Sequence, residues 1–225
     1  SGIIHKEGSV MQCTIMTNGE YAAISRYRSV VDSSEMIICA DGGANYAYQM
    51  NIVPDCIIGD LDSIHPHVLE HYTRLKVPVM KYPRHKDFTD TQLALSAAEE
   101  KGAGNIILLG SLGGRLDHTL SNLYSCLDMA LKGHQIIHYH PDYQVYMVNS
   151  CLTLKGTAGD VVSVLALTDI AKGVTEIGFE YPLQDAVLES RNPFAVSNVM
   201  SGPTAVIRVQ EGILAVFHYP QLPGR

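Results

Sequence analysis

Four acidic stretches follow short apolar runs in this chain. Asp41-Gly42-Gly43 comes after Met36–Ala40, Gly59-Asp60-Leu61-Asp62 after Cys56–Ile58, Lys86-Asp-Phe-Thr-Asp90 after Val77–Met80, and Gly110-Ser-Leu-Gly-Gly-Arg-Leu-Asp117 after Ile106–Leu109. In Asp60-Leu61-Asp62 the carboxylates are two residues apart, so an extended chain would point both to one face and Leu61 to the other. Two carboxylates about 4 Å apart repel by about 1 kcal/mol in water and by about 4 kcal/mol at an effective dielectric near 20, and Asp41 or Asp90 nearby would add to this. A hard divalent cation removes that penalty. Ligands that are oxygen only, without Cys or His, suit Mg²⁺, which binds through one or two carboxylates and takes further ligands from water and substrate phosphates.

The glycines fit an anionic substrate. Gly42-Gly43 and Gly113-Gly114 let backbone approach a bulky anion and can take positive φ, while helices starting after them would aim amide groups at phosphate. Arg115 offers a guanidinium fork suited to phosphate oxygens. Neither G-x-x-x-x-G-K-[ST] nor G-x-G-x-x-G is present, so phosphate would be held by another arrangement. Taken singly, Asp90 and Asp117 are also what helix starts favour, and Asp41-Gly and Gly59-Asp are also ordinary turns. A D-x-D pair with two Gly-Gly pairs is not required by caps or turns. His65, His67 and His71 read as a solvated helix face, and Tyr46 and Tyr48 as packing residues.

The elements that must position these groups follow from texture. Of 225 residues, 46% are hydrophobic and 17% charged, enough to bury a sizeable core. From about residue 10 to 142, continuous apolar runs (Gln12–Thr17, Met36–Ala40, Cys56–Ile58, Val77–Met80, Ile106–Leu109, Gln135–Tyr139) mostly alternate with helix-length segments. That is how strands buried on both faces of a parallel sheet read, and residues directly after such strands converge on the ligand crevice. Thr89-Asp-Thr-Gln92 forms a T-x-x-Q capping box for a helix that stops at Gly102. A second helix is expected from about Asp117 to Lys132, with Leu120, Leu123, Leu127 and Leu131 at helical spacing.

After Pro141-Asp142 the runs are brief, rich in β-branched residues and separated by Gly, Pro, Asp and Asn, which reads as an antiparallel sandwich. The expected fold is an N-terminal open, mostly parallel α/β sheet over 1–142, followed by an antiparallel β-sandwich over 143–225. The net charge of −7 without a basic block argues against a nucleic-acid binder. No apolar run approaches the roughly 18 residues of a membrane span, and no secretion signal is read at the N-terminus. Five cysteines without C-x-x-C, three of them in apolar runs, point to a reducing, cytoplasmic setting.

At these residues the chain resembles the thiamine pyrophosphokinase family, through "ADGGAN" at 40–45, "PDCIIGDLDSI" at 54–64, "KDFTDTQLAL" at 86–95, "LGSLGGRLDHTLSNL" at 109–123, "YPL" at 181–183, "SN" at 197–198 and "GILAVFHY" at 212–219. The resemblance implies pyrophosphoryl transfer from ATP to thiamine with release of AMP, in a homodimer with active sites between subunits. It implies metal and phosphate roles for Asp41, Asp60, Asp62, Asp90 and Asp117, with Thr89, Gln92 and Arg115 beside them, Mg²⁺ on Asp60, Asp62 and Asp90, and contact with thiamine by Ser197 and Asn198. The family often continues Ser-Asn with Glu-Phe, whereas Val199-Met200 follows here, and the chain has no Trp to offer the thiamine rings. Phe194 or a Tyr is the expected substitute. Asp117 or Asp41 is a candidate base. Two other readings use the same residues: a Mg²⁺-dependent nucleotide hydrolase, and a non-catalytic thiamine-binding protein.

Overall fold

A computed structural model describes residues 10–83 and 88–220. Lys86 and Asp87 of the third acidic stretch lie outside them. The chain forms two compact units, one of residues 1–19 and 23–109, the other of 20–22 and 110–225. The expected boundary at 142 marks where helices cease; the units part earlier, between Leu109 and Gly110, because the helices after Gly114 pack within the second.

In the first unit, β1 (Gln12–Met16), β2 (Met36–Ala40), β3 (Cys56–Gly59), β4 (Val79–Lys81) and β5 (Asn105–Leu109) are all parallel, in the order β5-β1-β2-β3-β4. β1 therefore has β2 on one side and β5 on the other, the strand-order reversal at which open α/β sheets bind ligands. The connections carry α1 (Arg28–Asp32), α2 (Gly43–Gln49), α3 (Pro66–Arg74) and α4 (Asp90–Glu100). Ile15, Ile38, Ile57 and Ile58 are fully buried, which is why these strands read as unbroken apolar runs. Burying each such side chain stabilises by about 1.5–3 kcal/mol, and Ile38→Ala would cost about 2–5 kcal/mol. The Thr89 capping box is present in full, and α4 gives way at Gly102, whose φ is 87°.

The second unit begins with α5 (Leu116–Ser125) and α6 (Leu127–Leu131). The single helix expected over 117–132 is thus two, broken at Cys126, and the buried face is Leu123, Cys126, Met129 and Ala130, while Leu120 and Leu131 are exposed. Of the leucine stripe only Leu123 is buried, because Cys126, Met129 and Ala130 fill the rest of the contact side. Strands β6 (Gln135–His140), β7 (Tyr143–Val148), β8 (Cys151–Lys155), β9 (Val161–Ala166), β10 (Ile170–Ile177), β11 (Leu183–Glu189), β12 (Asn198–Val199), β13 (Thr204–Arg208) and β14 (Leu214–Tyr219) follow. They pair antiparallel as β6-β7-β14-β9-β12 and β11-β10-β13-β8. Val148, Leu154, Val162, Val174, Leu188, Ile207 and Val216 from both sheets make one core, the sandwich expected. Leu123 of α5 joins Leu112, Val145 and Ala215 in a smaller cluster. Among the described residues no helix is long and apolar enough to cross a membrane.

Candidate active site

The acidic residues after β2 and β3 converge. Asp41, Asp60 and Asp62 each offer a carboxylate oxygen within 4.8 Å of the others, Asp41 buried, Asp60 half-buried and Asp62 exposed. The expected extended D-x-D is corrected: Leu61 has φ of 69°, and the Asp62 amide donates to Asp60 Oδ1 at 3.3 Å. A tight turn, not strand alternation, gathers the two acids.

Asp41 also sits in the left-handed region, at φ of 46°. The Ser63 amide donates to its Oδ1 at 3.3 Å. Burial pushes the Asp41 carboxyl above its ordinary value, the Ser63 bonds pull it down, and the charge of Asp60 pushes it up again. Asn45 holds this loop from α2: its Nδ2 donates to the Ser63 carbonyl at 2.9 Å, and the His65 amide donates to its Oδ1 at 3.0 Å. Neither Asn45 nor Ser63 was singled out from the sequence, although both lie inside the matching motifs. Asp90, in the first turn of α4, stands against Gly59, and a β-carbon built on that glycine would lie 3.2 Å from its carboxyl. Three acids whose carboxylate oxygens lie within 4.8 Å of one another, one of them buried, fit a small divalent cation such as Mg²⁺.

Other expected groups have defined places. Thr89 Oγ1 accepts from the Gln92 amide at 3.2 Å and Gln92 Oε1 accepts from the Thr89 amide at 2.9 Å, so both cap the helix that carries Asp90. Gly42 has φ of −59°, and neither it nor Gly43 has positive φ, contrary to the expected option. They are glycines because a β-carbon would strike the Asn18 side chain and the Met16 carbonyl, where α2 starts against β1. Gly113 and Gly114 do take positive φ, 94° and 60°. The histidines 67 and 71 are not simply solvated: their rings lie 5.5 and 5.0 Å from Tyr48 in edge contacts.

In the second unit, Arg115 is the N-cap of α5 and pairs with Asp117 through two hydrogen bonds, Nε to Oδ1 at 3.1 Å and Nη2 to Oδ2. That guanidinium holds the Asp117 carboxyl down at about 2. The loop before it is anchored by Ser111, whose Oγ bonds His138 Nδ1 at 2.8 Å and whose carbonyl accepts from Asn122 Nδ2 at 3.0 Å.

Ser197 is exposed with φ of 58°, and its amide donates to Ser163 Oγ at 2.9 Å. Asn198, by contrast, is buried. Its Nδ2 donates to Glu176 Oε2 at 2.9 Å and to the Tyr181 carbonyl at 2.8 Å, while its Oδ1 accepts from the Tyr181 amide at 3.1 Å and the Val199 amide at 3.0 Å. All four hydrogen-bonding positions of the amide are filled. Asn198 therefore ties down the Tyr181 backbone, while Ser197 is exposed and Tyr181 and Phe194 are 70% and 51% exposed.

The family model described as the thiamin pyrophosphokinase catalytic domain matches residues 27–138, and the one described as the thiamin pyrophosphokinase vitamin B1 binding domain matches 148–214. Thiamine pyrophosphokinase 1 of Oryza sativa subsp. japonica is 33% identical over 113 residues, a match spanning 41% of this chain and 43% of that protein, less than half of either. Thiamine pyrophosphokinase of Bacillus subtilis (strain 168) is 26% identical over 203 residues, 89% of this chain and 94% of the relative. The crystal structure of the Bacillus subtilis thiamine pyrophosphokinase superposes with a TM-score of 0.82 at 24% identity, covering 94% of this chain and all of that one, a likeness of fold.

Proposed function

Because the chain belongs to the thiamin pyrophosphokinase family, we propose that it transfers a pyrophosphoryl group from ATP to the hydroxyl of thiamine, giving thiamine diphosphate and AMP. The observation that carries this reading is the convergence of Asp41, Asp60 and Asp62 at the carboxyl ends of β2 and β3. The thiamine oxygen forms a bond to the β-phosphorus of ATP as the bond from that phosphorus to the AMP oxygen breaks, and the hydroxyl proton departs to base or solvent. Such chemistry asks the protein chiefly for positioning and charge neutralisation.

Asp41, Asp60 and Asp62 would hold Mg²⁺, with Asp90 beside them; when bound, the ion neutralises the charge on phosphate oxygens. Asn45 and Ser63 keep the D-x-D turn in register. Arg115 balances phosphate charge, and Asp117 fixes the plane of its guanidinium. An acid held so low by its own arginine is a weak proton acceptor, which argues against Asp117 as the base. Gly113 and Gly114 give the positive-φ turn that leads into α5, with the Glu20 side chain packed against Gly114. Ser197 donates or accepts at thiamine through its hydroxyl, Tyr181 and Phe194 supply the aromatic surface in a chain without Trp, and Asn198 acts from behind by holding Tyr181.

On this reading residues 1–142 are the ATP- and metal-binding part and 143–225 the thiamine-binding and dimerisation part of a cytoplasmic homodimer. Thiols that are all free among the described residues support the reducing compartment. The direct test is mass spectrometry after incubation with ATP, Mg²⁺ and thiamine. Thiamine diphosphate and AMP in equal amounts are expected. AMP formed equally without thiamine would mean a nucleotide hydrolase, and binding of thiamine without either product would mean a non-catalytic binder.

A further inference from the structure

Glu176 lies on β10 with no exposed surface. Its Oε2 accepts the Asn198 Nδ2 hydrogen bond, and its Oε1 is buried without a hydrogen-bond partner. Burial pushes this carboxyl up to about 7, against the pull of the Asn198 bond. An apolar side chain would be cheaper to bury here. What the acid supplies is direction. The Asn198 amide faces two acceptors on one side, Glu176 and the Tyr181 carbonyl, and two donors on the other, the amides of Tyr181 and Val199. Turned over, it would set oxygen against oxygen and N–H against N–H at every contact. Glu176 is the one side chain among those four contacts; the other three are backbone groups of the turn itself.

The consequence reaches the surface. With the amide fixed, the Tyr181 backbone is bonded at both its N–H and its carbonyl, and the chain passes through the left-handed turn at Ser197 directly into the β12–β9 pairing of Asn198 with Val162. We propose that Glu176 is a positioning residue for thiamine, acting through Asn198 to hold the exposed Tyr181 ring and the Ser197 hydroxyl in their binding arrangement. This rests on the reading above that these two groups meet thiamine.

The test uses the full chain with Glu176→Leu, which removes the acceptor, and Glu176→Gln, which keeps an oxygen for Asn198 Nδ2. The leucine variant is expected to raise KM for thiamine about tenfold, the cost of about one lost orienting hydrogen bond, with KM for ATP within about twofold. The glutamine variant is expected to restore KM for thiamine to within about threefold of wild type. A purely structural acid would instead lower the active fraction and leave both KM values alone. The proposal is overturned if KM for thiamine is unchanged in the leucine variant, if KM for ATP rises in parallel, or if glutamine is as impaired as leucine. Glu176→Met takes the place of leucine, with the same expectations, should that variant not fold. Amide hydrogen exchange at Tyr181 and Val199 should quicken in the leucine but not the glutamine variant. If the wild type shows no thiamine-dependent turnover, the functional reading falls, and equal exchange in both variants would still overturn the positioning role.

Discussion

Gly59 and Asp90 are in contact through a gap that only a glycine leaves: an added β-carbon would stand 3.2 Å from the Asp90 carboxyl and 3.1 Å from Asp41 Cβ. Gly59 also has φ of 145°, a conformation that L side chains rarely adopt. Gly59→Ala should therefore push the acids apart as well as strain the end of β3. We expect thiamine-dependent AMP release to fall at least about tenfold and stability by about 1–3 kcal/mol. Coupled AMP assay and thermal melting check both. Full turnover in a destabilised variant would separate the strain from the site.

Asn45→Ala removes the clamp on Ser63 and His65 without touching a carboxylate. Groups that orient metal ligands typically contribute about 10–100-fold in metal affinity. The expected outcome is a rise of that order in the Mg²⁺ concentration for half-maximal turnover, with a smaller change in the maximum. Titration of AMP release with Mg²⁺ reads the two separately.

Arg115 and Asp117 are exposed, so their pairing is a device for orientation rather than for stability. Arg115→Ala should leave the melting temperature where it is and lower turnover by about 10²-fold, the effect of losing one donor to developing charge. Lys should rescue only partly, since a point charge cannot reproduce the planar fork. Asp117→Asn should cost less than Arg115→Ala, because it loosens the guanidinium without deleting it.

Two buried groups set opposite slopes of stability against pH. His138 titrates at about 4 in the folded chain against 6.5 ordinarily, because burial disfavours its charge. Between those values the unfolded chain binds more protons, so this contribution is present at neutral pH and is lost as pH falls from 6.5 towards 4, on the order of 3 kcal/mol in full. Glu176 is raised to about 7 from 4.5, so the folded chain binds more protons and stability is lost as pH rises from 4.5 through 7. From 4.5 to 6.5 the two oppose each other. Denaturant unfolding across pH should show a steeper acid-side loss in Glu176→Gln than in wild type. His138→Asn, which keeps an atom for Ser111, should show a loss on the alkaline side instead.

Much of this was legible in the sequence. Continuous apolar runs marked β1, β2, β3 and β5 because both their faces are buried, and Thr89-x-x-Gln92 marked the start of α4 because its two bonds are local. That acids after adjacent strands converge followed from their place, although the set expected to hold the ion was Asp60, Asp62 and Asp90 and the close trio is Asp41, Asp60 and Asp62. What the sequence hid depends on partners distant in the chain. The turn at Leu61 needs Asn45 and Ser63 to hold it, so local alternation suggested an extended D-x-D instead. The family resemblance implied a thiamine contact for Asn198, yet its amide is spent on Glu176, Tyr181 and Val199, contacts that no local pattern encodes. Gly42 and Gly43 looked like room for an anion, and the room is taken by β1. Strand β11 is hard to read because its exposed face breaks the apolar pattern, and the helix expected over 117–132 was read without its break at Cys126 because Cys126, Met129 and Ala130 join Leu123 on the inward side.

The claim on which the rest stands is that the carboxylates after β2 and β3 hold the ion that activates phosphate transfer. Titrating Mg²⁺ into metal-free wild type and Asp62→Asn, with formation of thiamine diphosphate as the readout, tests it most directly. We predict no product under EDTA, recovery with Mg²⁺ in the wild type, and in Asp62→Asn a loss of about 10²-fold or more that excess Mg²⁺ only partly restores. Wild-type turnover and an unchanged Mg²⁺ requirement in Asp62→Asn would contradict it.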